Sequence, residues 1–231
     1  MCGIAGFIGE CQQPLVSLKE MAKAIYHRGP DDQGVWFDEQ CGIGLAHTRL
    51  SILDLSPAGH QPMESISGQY MMVFNGEVYN HQIIKNELNN ITSIDWRGHS
   101  DTETLLAGFE AWGIKETIEK AIGMFAIAVW DRSANTLTLV RDRIGEKPLY
   151  YGWQDDTFLF GSELKALKQH TAFKSEINRD AITLLLRHNY IPTPYSIYKG
   201  IAKLEPGCLL TVSLKCAEPS VTRYWSEAQV A

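Results

Sequence analysis

The chain has 231 residues, 45% hydrophobic and 21% charged, which suits one large domain or two small ones with a real hydrophobic core and argues against disorder. No run approaches the ~20 apolar residues that a membrane helix needs, so a helical span is excluded. With 27 acidic against 21 basic residues the net charge is -6, and no basic cluster interleaved with aromatics offers a face to nucleic acid.

The elements follow in chain order. Gly3 to Ile8 reads as a strand, and Cys2 stands just ahead of it. Ser17 and Glu20 have the spacing of a capping box, opening a helix whose Leu18, Met21, Ala22 and Ile25 form one apolar stripe; His27-Arg28-Gly29-Pro30 ends it. Strands are expected at Gly42 to Ala46 and Tyr70 to Asn75. Asn80 is placed to cap a helix carrying Ile83, Ile84 and Leu88, and Ser100 with Glu103 opens another whose Leu105, Leu106, Phe109 and Trp112 face inward. The segments Met124 to Trp130, Thr136 to Arg141, Leu149 to Trp153 and Thr157 to Phe160 follow one another across turn residues, as in an antiparallel meander. Asn178 or Asp180 then caps a covering helix with Ile182, Leu185 and Leu186. Neither a repeat nor a linker divides the chain, so 1–231 reads as one domain with strands in two sheets and helices packed outside.

The five cysteines at 2, 11, 41, 208 and 216 contain no C-x-x-C pair and are too few for a disulfide scaffold, so a reducing cytoplasm is the expected location. His47, His60, His81 and His99 lack metal-ligand spacing, and no metal is assigned. Cys2 is one cleavage from the N-terminus. Removal of Met1 would give a single residue both a thiol and an α-amine that titrates near neutral pH and can take the thiol proton. A buried structural cysteine is the plainer reading of that position alone. Arg49 offers a planar fork suited to a carboxylate, Asn75-Gly76 offers an amide donor and a close backbone N–H, and Glu77 and Asp101 supply negative charge. Each also has an ordinary reading, as surface ion pair, hairpin turn or helix-dipole partner. Together they describe a site for an α-amino acid with a scissile carbonyl.

Cys2-Gly3-Ile4-Ala5-Gly6, His27-Arg28-Gly29-Pro30-Asp31, Leu45 through Ile52, Phe74-Asn75-Gly76-Glu77-Val78-Tyr79-Asn80, Ser100-Asp101-Thr102-Glu103 and Arg141 through Tyr151 resemble class II glutamine amidotransferases in order and spacing. The nearest likeness is to the glutaminase domain of glutamine-hydrolysing asparagine synthetases, and it spans essentially the whole chain. The resemblance implies an α+β fold, the N-terminal-nucleophile hydrolase: a four-layer αββα sandwich of two antiparallel sheets. It implies that Cys2 is the nucleophile with its own amine as base, and that Arg49, with the backbone of Leu50, Ser51, Ile52 and Leu53, holds the carboxylate of L-glutamine. Asn75 and Gly76 would form the oxyanion hole, and Glu77 and Asp101 would bind the α-ammonium. The motif at His27 to Asp31 would order a loop, and Arg141 to Tyr151 would meet a synthetase domain or subunit that accepts ammonia. No Ser-Gly-Gly-x-Asp-Ser loop occurs, so ATP and Mg are expected only with that partner and no cofactor with this chain. The chain would then be a fragment, an excised domain or a free-standing glutaminase; a homodimer stays open. Cys208 stands where the resemblance favours histidine, a departure that touches no catalytic role but bears on the acceptor. The alternatives are amidation of a carboxylate other than aspartate, an amidase for acylated amino acids, and a silent scaffold. A scaffold would be expected to have lost Cys2, Arg49, Asn75 or Asp101, and all are present.

Overall fold

A computed structural model describes residues 1–213 and 216–229. The chain begins β1 (Gly3–Ile8), α1 (Pro14–Ala24), β2 (Asp32–Asp38), β3 (Ile43–Arg49), β4 (Met63–Glu64) and β5 (Tyr70–Val78). It continues through α2 (His81–Ile91), α3 (Asp101–Trp112), α4 (Ile114–Lys120), β6 (Gly123–Asp131), β7 (Thr136–Arg141), β8 (Tyr150–Gln154) and β9 (Thr157–Gly161). It closes with α5 (Leu164–Leu167), α6 (Arg179–His188), β10 (Ala202–Lys203), β11 (Cys208–Ser213) and β12 (Cys216–Arg223). The strands form two six-stranded sheets, ordered β10-β8-β9-β1-β3-β2 and β12-β11-β7-β6-β5-β4. Every named pairing within them is antiparallel.

Strand alternation explains the layers. In β1, Ile4 and Ile8 point between the sheets while Ala5 and Phe7 pack under α1 against Leu18 and Met21. In β5, Met71 and Val73 face the other sheet, whereas Met72, Phe74 and Val78 pack with Leu105 and Phe109 of α3. The result is the expected four-layer αββα sandwich, with one core between the sheets and one beneath each helical layer. The same period-2 alternation carries Cys2, His47, Arg49, Asn75 and Glu77 to the inter-sheet side. His47 bridges the gap, its Nε2 donating to the Phe74 carbonyl at 3.0 Å.

Several local expectations are corrected. The first helix begins at Pro14, whose fixed φ suits the first helical turn, and Ser17 does not cap it. Ser17 N–H instead donates to Gln13 O at 2.9 Å inside the first turn. Ser100 does cap α3, accepting from Glu103 N–H, but the Glu103 carboxylate accepts from Arg97 and Gly98 N–H rather than from Ser100. Asn80 uses its side chain to tie Lys120 O and Ile122 N–H together, and Ile83 is exposed. Asn178 caps α6, yet Ile182, Leu185 and Leu186 are exposed and only Ala181 is buried, so α6 does not cover the core. The stretch from 124 to 160 is not one meander. β6 and β7 pair in one sheet, β8 and β9 in the other, and the chain crosses between them from Arg141 to Tyr150.

Candidate active site

Cys2, Arg49, Leu50, Ile52, Leu53, Asn75, Gly76, Glu77 and Asp101 line one cleft open to solvent. Residues separated by dozens of positions are thus brought together by the ends of β1, β3 and β5 and the start of α3. Ser51 is not among the lining residues, and its N–H is engaged by Asp31 Oδ2 at 2.8 Å.

Cys2 Sγ accepts from Leu50 N–H at 3.4 Å and lies 3.6 Å from Leu50 O. Burial pushes its thiol pKa up, while the Leu50 hydrogen bond, the terminal ammonium and Arg49 pull the other way and Asp101 adds to the rise. The Cys2 carbonyl accepts from Arg28 Nε at 2.9 Å, and Arg28 is paired with Glu163 at 2.9 Å. Arg28 of the His27–Arg28 motif therefore holds the Cys2 backbone directly, a more specific contact than the loop ordering expected of it. Met1 precedes Cys2 in the structure and lines the cleft, and its α-ammonium is the charged terminus.

Arg49 is 8% exposed and donates to the carbonyls of Ser56, at 3.0 Å, and Asp54. Among the described residues it forms no ion pair, so a buried guanidinium faces the cleft without a carboxylate. Asp54 fixes the loop that supplies those carbonyls. Hydrogen bonds from His99 N–H and Ser56 hold its carboxyl at about 2. Gly59 lies against the guanidinium so closely that a Cβ would stand 2.0 Å from Nη2.

Asn75 and Gly76 do not form a hairpin turn but lie inside β5, opposite Ala126 and Phe125. Glycine is required there, because a Cβ at Gly76 would stand 2.2 Å from Met124 O. Asn75 is 1% exposed, and both polar atoms of its side chain lack a protein partner. A buried amide in that condition is costly unless a ligand completes it. Asp101, at the first turn of α3, accepts from Val78 and Thr102 N–H at 2.9 Å each. Burial nevertheless raises its carboxyl pKa to about 6, with neighbouring Glu77 adding to the rise. His47, beneath the cleft, is held neutral by burial with a pKa of about 4.

The motif from Arg141 to Tyr151 is split between inside and outside: Ile144 and Glu146 are exposed, whereas Lys147 is buried. Arg141 and Asp142 are buried, and Arg141 donates to the carbonyls of Gly145, Lys147 and Leu204. Lys147 lines the cleft, as do Asp54, Gly59, Gln61, Thr102 and Met124. None of these stood out in the sequence, since their roles depend on contacts that only the folded chain makes.

A sandwich of two antiparallel sheets between helical layers, with a cysteine just ahead of a central strand and facing a cleft, has the architecture of the N-terminal-nucleophile hydrolase fold. The chain belongs to the glutamine amidotransferase domain family, whose model matches residues 1–225. It is 37% identical over 97% of its length to a putative glutamine-hydrolysing asparagine synthetase 2 of Methanocaldococcus jannaschii and 35% identical over 98% to glutamine-hydrolysing asparagine synthetase 3 of Bacillus subtilis. It spans only 46% and 37% of those relatives' own lengths. Among solved structures, glutamine phosphoribosylpyrophosphate amidotransferase from B. subtilis, complexed with ADP and GMP, superposes with a TM-score of 0.73 at 17% identity. That superposition covers 98% of this chain and 50% of the other.

Proposed function

We propose that this glutamine amidotransferase domain hydrolyses L-glutamine to glutamate and ammonia through an N-terminal cysteine, and that the ammonia serves an ATP-dependent amidation. The observation that carries the glutaminase reading is Asn75, a buried amide with no protein partner on the cleft that Cys2 lines. Once Met1 is removed, the Cys2 amine accepts the thiol proton and Sγ attacks the glutamine side-chain carbonyl carbon. The oxygen becomes an anion that Asn75 Nδ2–H and Gly76 N–H stabilise. Collapse breaks the C–N bond, the amine's proton goes to the leaving nitrogen, and ammonia departs from a glutamyl thioester. Water, deprotonated by the same amine, then displaces sulfur and releases glutamate. Arg49 binds the α-carboxylate at the edge formed by Leu50, Ile52 and Leu53, while Glu77 and Asp101 receive the α-ammonium.

The names of the relatives favour aspartate as the acceptor and asparagine as the product, made by a synthetase part that would handle ATP and Mg. The test is to incubate the purified chain with glutamine and no ATP and to follow glutamate, with mass spectrometry of the N-terminus. Glutamate release that stops in Cys2→Ala supports the reading; full activity in Cys2→Ala would sink it.

A further inference from the structure

Lys147 is a charged cleft residue to which the glutaminase reading gives no task. It ends a turn built around the fully buried Asp142, whose carboxylate accepts from the N–H groups of Ile144, Gly145, Glu146 and Lys147 at 3.2, 2.7, 2.9 and 2.9 Å. Arg141 Nε donates to the Lys147 carbonyl at 2.8 Å, so both backbone groups of the lysine are fixed. The turn thereby aims one lysine side chain into the cleft. That side chain belongs to a residue only 5% exposed, and among the described residues its ammonium donates to Met1 Sδ at 3.3 Å and to no carboxylate. A thioether is a weak acceptor, and a buried cation without an anion is costly to keep. Removing Met1 takes away that acceptor and leaves the ammonium facing the cleft that the new terminus enters.

We propose that Lys147 is a positioning residue that works through Cys2: its ammonium disfavours protonation of the Cys2 α-amine and favours the thiolate. The proposal rests on the glutaminase reading in taking Cys2 as the nucleophile. The other charges around the terminus are Arg28, Asp31, Arg49, Glu77, Asp101 and, behind Arg28, Glu163. Arg28 is neutralised by Glu163, and Arg49 is held among carbonyls on the glutamine side of the cleft. Lys147 is the cleft cation with neither kind of partner. Even with Met1 in place, the terminal ammonium is lowered chiefly by burial, and Lys147 and Arg28 act in the same direction.

The test is alkylation of Cys2 by iodoacetamide as a function of pH, on the full chain with Met1 removed, read from the mass of the N-terminal peptide. The wild type is compared with Lys147→Met and Lys147→Arg. Losing one facing cation raises the midpoint of the coupled thiol–amine pair by roughly one pH unit in Lys147→Met, and Lys147→Arg restores it. At pH 7 the rate falls only about threefold, because a roughly tenfold loss of thiolate is offset by its greater nucleophilicity. Lys147→Met melts at or above the wild-type temperature, since it removes a buried cation that has no anion. A wild-type midpoint in Lys147→Met would overturn the proposal; so would melting points depressed alike in both variants, which would assign the side chain to packing. Iodoacetamide needs no glutamine, so these failures differ from failure of the glutaminase reading, in which the wild-type protein releases no glutamate.

Discussion

Placing the glutamine α-ammonium at Asp101, as proposed, predicts that binding depends on pH. Burial raises its carboxyl to about 6 in the free protein, with Glu77 adding to the rise, so near that pH half the molecules carry a neutral acid there. Only the ionised form attracts an α-ammonium, and an ammonium bound beside it returns the pKa toward ~4. The competent fraction is about 0.9 at pH 7 and about 0.1 at pH 5, so the apparent Kd rises about tenfold between them, roughly 1.4 kcal/mol. The sign also fixes a stability effect. Because the folded pKa is raised, the folded chain binds more protons than the unfolded one between about 4 and 6, and Asp101 costs stability increasingly as pH rises through that window. Calorimetric titration of Cys2→Ala with glutamine from pH 7.5 to 5 measures the binding term without turnover. Asp101→Asn is expected to bind weakly at pH 7 and to lose the tenfold change. A flat profile in Cys2→Ala would refute the placement of the ammonium at Asp101.

Asn75→Ala is expected to lower kcat by roughly 100-fold or more with little change in glutamine affinity, as for a lost oxyanion donor; a change in affinity alone would contradict the assignment. Arg49→Lys keeps the charge but replaces a fork with a point, so glutamine Kd should rise at least about tenfold by calorimetry while thermal unfolding changes little. Gly59→Ala drives a methyl into the Arg49 guanidinium, and a similar loss of glutamine affinity is expected without loss of Cys2 alkylation by iodoacetamide.

Much of the fold is legible in the sequence because the interior strands alternate or are wholly apolar. β1, β5, β6 and β7 all lie near their expected places. β2 escapes notice because it is an edge strand with polar ends and a glycine in its middle. The switch of sheets after β7 is illegible for a different reason: antiparallel strands look alike whichever sheet they join, and the switch is enforced by Arg141 and Asp142 bonding the crossover from within. At the site, Cys2, Arg49, Asn75, Gly76, Glu77 and Asp101 could be grouped because their chemistry is distinctive and the motifs are familiar in order. Lys147 could not, since a lysine in a charged run is ordinarily solvated, and only the buried Asp142 carboxylate turns this one inward.

Cys2, the nucleophile of the proposed reaction, lies beside a chain end and poses a mechanical problem, because termini fray unless they are tied into the structure. This fold meets it by topology. β1 is an interior strand, paired with β3 from Gly3 onward and with β9 from Ala5 onward, so the strand that follows Cys2 is held in two ladders. Side chains reinforce the ladders at the end that matters. Ser162 Oγ accepts from Ile4 N–H at 3.0 Å, Ser162 N–H donates to Ile4 O at 2.8 Å, and Arg28 Nε reaches the Cys2 carbonyl. Glu163, next to Ser162, holds Arg28 in turn, so the segment after β9 grips both Cys2 and Ile4. The thiol is consequently delivered by a rigid strand, while the surface that meets it belongs to the loop beyond Arg49, where Ile52 and Leu53 are exposed. That division suits the proposed reaction, in which the Cys2 thiol stays fixed and adjustment to the substrate falls to the loop beyond Arg49.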